Sequence, residues 1–125
     1  MIGIKNRMDL TVDKDKTAKA MGSGELDVFA TPAMIALIEE TCWRSVADEI
    51  GEGSSTVGTK LDISHVSATP AGKSVWCESE VAEAKGRKIV FRVRVFDEAG
   101  LIGEGTHERF IVNTEKFMAK ANGKY

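Results

Sequence analysis

The chain has 125 residues, room for one domain (1–125) and little else. Its 17 Lys plus Arg against 19 Asp plus Glu give a formal charge of −2, and that near-balance argues against nucleic acid as a partner. At 42% hydrophobic and 29% charged it is too apolar for disorder, and no run nears the roughly 18 apolar residues of a membrane span.

Lys5 breaks the N-terminal stretch and no apolar h-region follows, so nothing suggests a secretory signal. Cys42 and Cys77 lie in apolar contexts without a CxxC pairing and read as buried thiols of a cytoplasmic protein. There is no nucleophile elbow, no phosphate-cradling glycine loop and no HExxH, and the two histidines are far apart. Neither a metal nor a cofactor is expected.

The first element is a short alternating strand, Met8 to Val12, followed by a polar, glycine-bearing stretch to Glu25 that reads as a mobile loop. Thr31 to Gly51 is the strongest signal. Thr31 suits an N-cap, Pro32 the first helical position and Gly51 a C-terminal stop. Ala33 to Ile38 is apolar on every side, so the first two turns are expected to be buried all round, by a curled sheet or partly by a second subunit.

Four strands follow: Ser55–Val66, Lys73–Ala84, Lys88–Phe96 and Leu101–Val112. In the first, Val57, Leu61, Ile63 and His65 share one parity. Tight turns at Lys85–Arg87 and Asp97–Gly100 are hairpin signals and predict an antiparallel meander. A short helix, Thr114 to Ala121, is capped by Asn113. The fold class is therefore α+β, an antiparallel sheet curled around one long central helix.

Glu39 directly follows the all-apolar stretch, so its carboxylate is either desolvated and held as a base or begins the exposed part of the helix with Glu40. His65 points by parity into the layer that meets the helix and needs a partner, either Glu39 or backbone carbonyls. Thr31 is first a cap, but a helix start also offers free N–H groups to a carbonyl oxygen gaining charge. Thr31 and Glu39 are eight residues apart, about 12 Å along a helix, too far to clasp one reactive group within one chain. His107 and Arg109 share a strand face with Gly103 and Gly105. Arg109 suits a phosphate or carboxylate, or an ordinary salt bridge to Glu80 or Glu108.

Three blocks carry a resemblance: VFATPAMIALIEETC (Val28–Cys42), GTKLDISHVSATPAG (Gly58–Gly72) and GEGTHERFIVNTEKF (Gly103–Phe117). In order and spacing they resemble the hot-dog-fold thioesterases of the fluoroacetyl-CoA thioesterase type. The resemblance implies a hot-dog fold and a homodimer, or a higher homo-oligomer, pairing sheet edge to sheet edge. It also implies hydrolysis of a small acyl-CoA thioester at sites between subunits. That family's catalytic threonine, glutamate and histidine fall on Thr31, Glu39 and His65, and its ligand-contacting glycine and arginine on Gly58 and Arg109.

One stretch departs from that pattern. Fluoroacetyl-specific members carry aromatic lid residues before the catalytic threonine, whereas Gly22–Asp27 has none and leaves Phe29 alone to meet the substrate. A more general short-chain acyl-CoA is the expectation. Two other readings use the same fold: an enoyl-CoA hydratase or dehydratase, disfavoured because the helix holds no histidine, and a non-catalytic acyl-CoA-binding module, disfavoured because no polar site residue is lost.

Overall fold

A computed structural model describes residues 1–125. In chain order the elements are β1 (Lys5–Thr11), α1 (Ala18–Met21), α2 (Thr31–Val46), β2 (Ser54–His65), β3 (Ser74–Lys85), β4 (Lys88–Asp97), β5 (Gly100–Asn113) and α3 (Thr114–Asn122). The strands form one antiparallel sheet in the order β1-β3-β4-β5-β2, and α2 touches all five of them. The α+β class and the sheet around one long helix are as expected. No helix is long and apolar enough to cross a membrane.

The four-strand meander needs correcting. Only β3, β4 and β5 run consecutively; β2 skips β3 and pairs with β5, which puts it at the far edge. The segment after β2, with Val66 and Ser67 bonded to the Ile102 carbonyl, carries the chain away before β3 begins. β2 therefore has a long free edge, normally a hazard unless something covers it.

Parity in β2 is corrected as well. Gly58 pairs with Arg109 and Leu61 with His107, with a register shift between Gly58 and Lys60. The extra residue, Thr59, flips the strand, as bulges do. Leu61, Ile63 and His65 share the helix face with His107, Gly105 and Gly103, while Val57 goes to the other face beside Phe110. Gly58 thereby joins the helix face.

Alternation on the inner face builds the core from Val75, Cys77, Val81, Ile89, Phe91, Val93 and Val95, against Met34, Leu37, Ile38, Cys42 and Val46 of α2. Met34 is fully buried because Gly103 admits it: a Cβ there would lie 2.7 Å from Met34 Sδ. Neither cysteine forms a disulfide, and burial pushes both thiols up, Cys77 to about 11, so they are inert.

Three details of the first half differ from expectation. The stretch before α2 is ordered: Thr17 is buried and caps α1, and Ala18, Lys19 and Ala30 close backbone bonds with Val28, Leu26 and Lys16. Ala30 rather than Thr31 is the N-cap of α2, and the helix ends at Val46, where the last turn tightens before Gly51. The first two turns are not buried all round. Ala36 is exposed and Ile35 only half-buried, because the sheet covers one side of the helix.

Candidate active site

The predicted residues form two groups along α2. At its start, Thr31 is the first helical residue, and its hydroxyl turns away from the backbone to meet His65 Nδ1 at 2.8 Å. Phe29 is 1% exposed and lies edge-on to the imidazole, with centroids 6.4 Å apart. It supports the ring from the core and offers no open surface of its own. His65 Nε2 is buried without a partner, and desolvation holds the ring below its ordinary pKa, which favours the neutral imidazole.

The expected His65–Glu39 pairing is not made. Two turns further along α2, Glu39 lies at the edge of the core with its side chain 39% exposed, its Oε2 3.6 Å from Arg109 Nη1. At that length the contact is an ion pair rather than a hydrogen bond. Nor does Arg109 pair with Glu80 or Glu108, which take Arg92 and Lys88 on the outer face.

Arg109 is buried, and three hydrogen bonds hold it: Nε to Thr56 Oγ1 (2.8 Å), Nη2 to the Thr56 carbonyl (2.9 Å) and Nη1 to His107 Nε2 (3.0 Å). Burial lowers its pKa and Glu39 opposes that shift. A guanidinium stays protonated even so.

Gly58 completes this second group by what it lacks. A Cβ there would lie 2.8 Å from Glu39 Oε2, 3.2 Å from His107 Cε1 and 3.3 Å from Arg109 Nη1. The bulge turns this bare position toward α2, and the carboxylate occupies the space a side chain would take. No three His, Cys, Asp or Glu side chains converge as a metal site would require.

Two contributors were not singled out from the sequence as site residues. Thr56 holds Arg109 through both its hydroxyl and its carbonyl, and no sequence signal marks it. His107 is fully buried beside Arg109. Its place on a glycine-bearing face was the one available hint.

A long helix packed against one face of a curled antiparallel sheet, with a carboxylate and a histidine where the two meet, is a hot-dog architecture. A family model for fluoroacetyl-CoA-specific thioesterases matches residues 12–115. The chain is 39% identical over 98 residues to a fluoroacetyl-CoA thioesterase of Streptantibioticus cattleyicolor, covering 78% of this chain and 70% of that one.

A solved structure of the fluoroacetyl-CoA thioesterase FlK superposes with a TM-score of 0.93 at 33% identity, covering 100% of this chain and 97% of that one. A hot-dog-like protein from Thermanaerovibrio acidaminovorans shares the fold alone, with a TM-score of 0.90 at 18% identity over 99% of this chain and 92% of its own. The chain belongs to the fluoroacetyl-CoA-specific thioesterase family and is a thioester hydrolase of hot-dog fold.

Proposed function

We propose that the protein hydrolyses a short-chain acyl-CoA thioester to the carboxylic acid and CoA, with Glu39 as the reactive carboxylate and His65 as the proton-transfer partner. Glu39 carries this reading. Its carboxylate is held beside a buried guanidinium, over a residue with no side chain, on the side of α2 that the sheet leaves open. Related FlK structures hold acetyl-CoA, or fluoroacetate with CoA, which supports a CoA thioester as the substrate class. The segment Gly22–Asp27 brings no aromatic side chain to the site and its Leu26 is exposed, which favours a general short acyl group over a fluoroacetyl group alone.

In the reaction, Glu39 either takes a proton from water as the oxygen attacks the thioester carbonyl or attacks it directly to give an anhydride that water then opens. The C–S bond breaks, the CoA thiolate takes a proton by way of His65, and the acid leaves. Thr31 orients the imidazole through Nδ1. Backbone N–H groups at Gly58 or at the start of α2 stabilise the oxyanion, and Arg109 fixes Glu39.

The two groups act together through a homodimer. Gly58 and His65 are seven positions apart on β2, roughly 20 Å along a strand, so Glu39 and His65 of one chain do not meet at one carbonyl. Antiparallel pairing of β2 with its copy about a two-fold axis near Leu61 and Asp62 brings Gly58 of one chain beside His65 of the other. It also covers Leu61, Ala36 and Trp43, all exposed in the single chain.

The test is thiol release over a panel of acyl-CoAs by wild type and Glu39→Gln, with the mass in solution measured by sedimentation. Turnover of short acyl-CoAs by a wild-type dimer and none by the variant is the expected result. A fully active monomer or an active Glu39→Gln overturns the proposal. Saturable acyl-CoA binding without thiol release identifies a binding module instead, and crotonyl-CoA hydration a hydratase.

A further inference from the structure

His107 has no part in the steps above, yet it is a fully buried titratable side chain at the centre of the Glu39 group. A guanidinium only donates, so the 3.0 Å contact from Arg109 Nη1 makes His107 Nε2 an unprotonated acceptor. Nδ1 therefore carries the hydrogen and donates it to the Lys60 carbonyl at 2.8 Å. Both nitrogens are committed and the tautomer follows from the partners rather than from choice. Phe91 stacks on the ring with 6.2 Å between centroids and fixes its plane.

The two partners are the two supports of Glu39. Arg109 Nη1 is the atom that faces Glu39 Oε2, and Lys60 is the residue at which β2 regains register after the bulge that turns Gly58 inward. We infer that His107 is a positioning residue for Glu39: a neutral imidazole that braces Arg109 and the Gly58 bulge against each other. The inference rests on Glu39 being the reactive carboxylate.

Protonation would put an Nε2–H against the Arg109 N–H and break the brace. The charged groups acting on the ring are Arg109 of β5 and Glu39 of α2 on its own face and, from the outer face, Glu108 of β5. Burial, the largest influence, and Arg109 both disfavour the charged imidazole, against the opposing pull of the Lys60 carbonyl and the two carboxylates, and the net direction is downward. The brace is thus intact at neutral pH and opens in acid.

The experiment compares thiol release by His107→Leu, His107→Gln and Glu39→Gln with wild type, using the best-turned-over acyl-CoA of the panel. His107→Leu is expected to lose roughly 30-fold in kcat with KM within about threefold, because the reactive group is misplaced while the binding surface stays. His107→Gln is expected to recover most of that loss, since an amide oxygen near the Nε2 position accepts from Arg109 and cannot be protonated. Its acid limb therefore moves to lower pH.

Wild-type kcat in His107→Leu overturns the inference, as does a His107→Gln as poor as His107→Leu when both melt like wild type. Should His107→Leu not fold, the imidazole 15N shifts of wild type decide: hydrogen on Nδ1 supports the brace, and hydrogen on Nε2 overturns it. An active Glu39→Gln overturns the reading of Glu39 and this inference with it. An inactive Glu39→Gln beside an unaffected His107→Leu overturns this inference alone.

Discussion

The two ends of the site on α2 are built to different standards. At the start, Thr31 and His65 share a single hydrogen bond, Thr31 is exposed, and His65 Nε2 has no partner. Two turns on, Glu39 faces Arg109, and Arg109 is itself tied to Thr56 and His107 by three hydrogen bonds. A buried charge requires such ties, because leaving a desolvated guanidinium unpaired costs several kcal/mol. The guanidinium that faces Glu39 is therefore fixed in place by the chain itself. The histidine end keeps one ring nitrogen without a partner.

If that contrast is correct, changes at the carboxylate end cost more than changes at the histidine end. Glu39→Gln keeps the shape and one acceptor oxygen but removes the charge and the base, and thiol release should fall by about 1000-fold or more. Its melting temperature should fall only modestly, because Arg109 keeps its three hydrogen bonds to Thr56 and His107 and Glu39 is 39% exposed.

Gly58→Ala comes next. The added Cβ meets Glu39 Oε2 at 2.8 Å, with His107 and Arg109 at 3.2 and 3.3 Å, so the carboxylate must shift. A displacement of this order at a reacting group costs roughly 100-fold in kcat. Wild-type turnover by Gly58→Ala would show that Glu39 does not need that space. Thr31→Val is milder: it keeps the branched shape and removes only the Nδ1 partner of an exposed pair. About a tenfold loss in kcat is expected, with little change in stability. A loss as large as that of Glu39→Gln would erase the difference between the two ends.

The fold and the family were legible in the sequence, the wiring of the site much less so. Thr31, Glu39, His65 and Arg109 lie at the surfaces where helix and sheet meet, as helix and strand periodicity place them, whereas Gly58 joins them against its parity. Which of them touch was hidden by one residue. The Thr59 bulge turns Gly58 toward Glu39, opposite Arg109, and sends Val57 outward, and no alternation pattern marks a bulge in advance. Strand order was hidden for a related reason. Hairpin signals report only neighbours in sequence, and β2 reaches β5 by a longer path. Ala33–Ile38 presents apolar surfaces on every side of the helix. A single chain covers only part of them.

The smallest expected effect separates the two histidines directly. Burial holds both below the ordinary value of 6.5, and His107 is fully buried while His65 is only half-buried. Above about pH 6.5 both are neutral whether the chain is folded or not, so neither makes stability depend on pH. As pH falls below 6.5 the unfolded chain takes up protons that the folded one refuses, and stability declines until the folded-state pKa is reached. Each group adds at most about 1.4 kcal/mol per pH unit to that slope. Asp9, whose pKa is lowered by its hydrogen bond with Arg7, acts only in stronger acid, below its ordinary 3.8. Denaturant midpoints at pH 7.5, 6.5 and 5.5 should therefore be level over the first interval and fall over the second. His107→Gln should flatten that fall more than His65→Gln does, whatever each variant does to the absolute midpoint. A wild type equally stable at all three pH values would mean that neither imidazole is held neutral, and the brace from His107 to Arg109 would lose its physical basis.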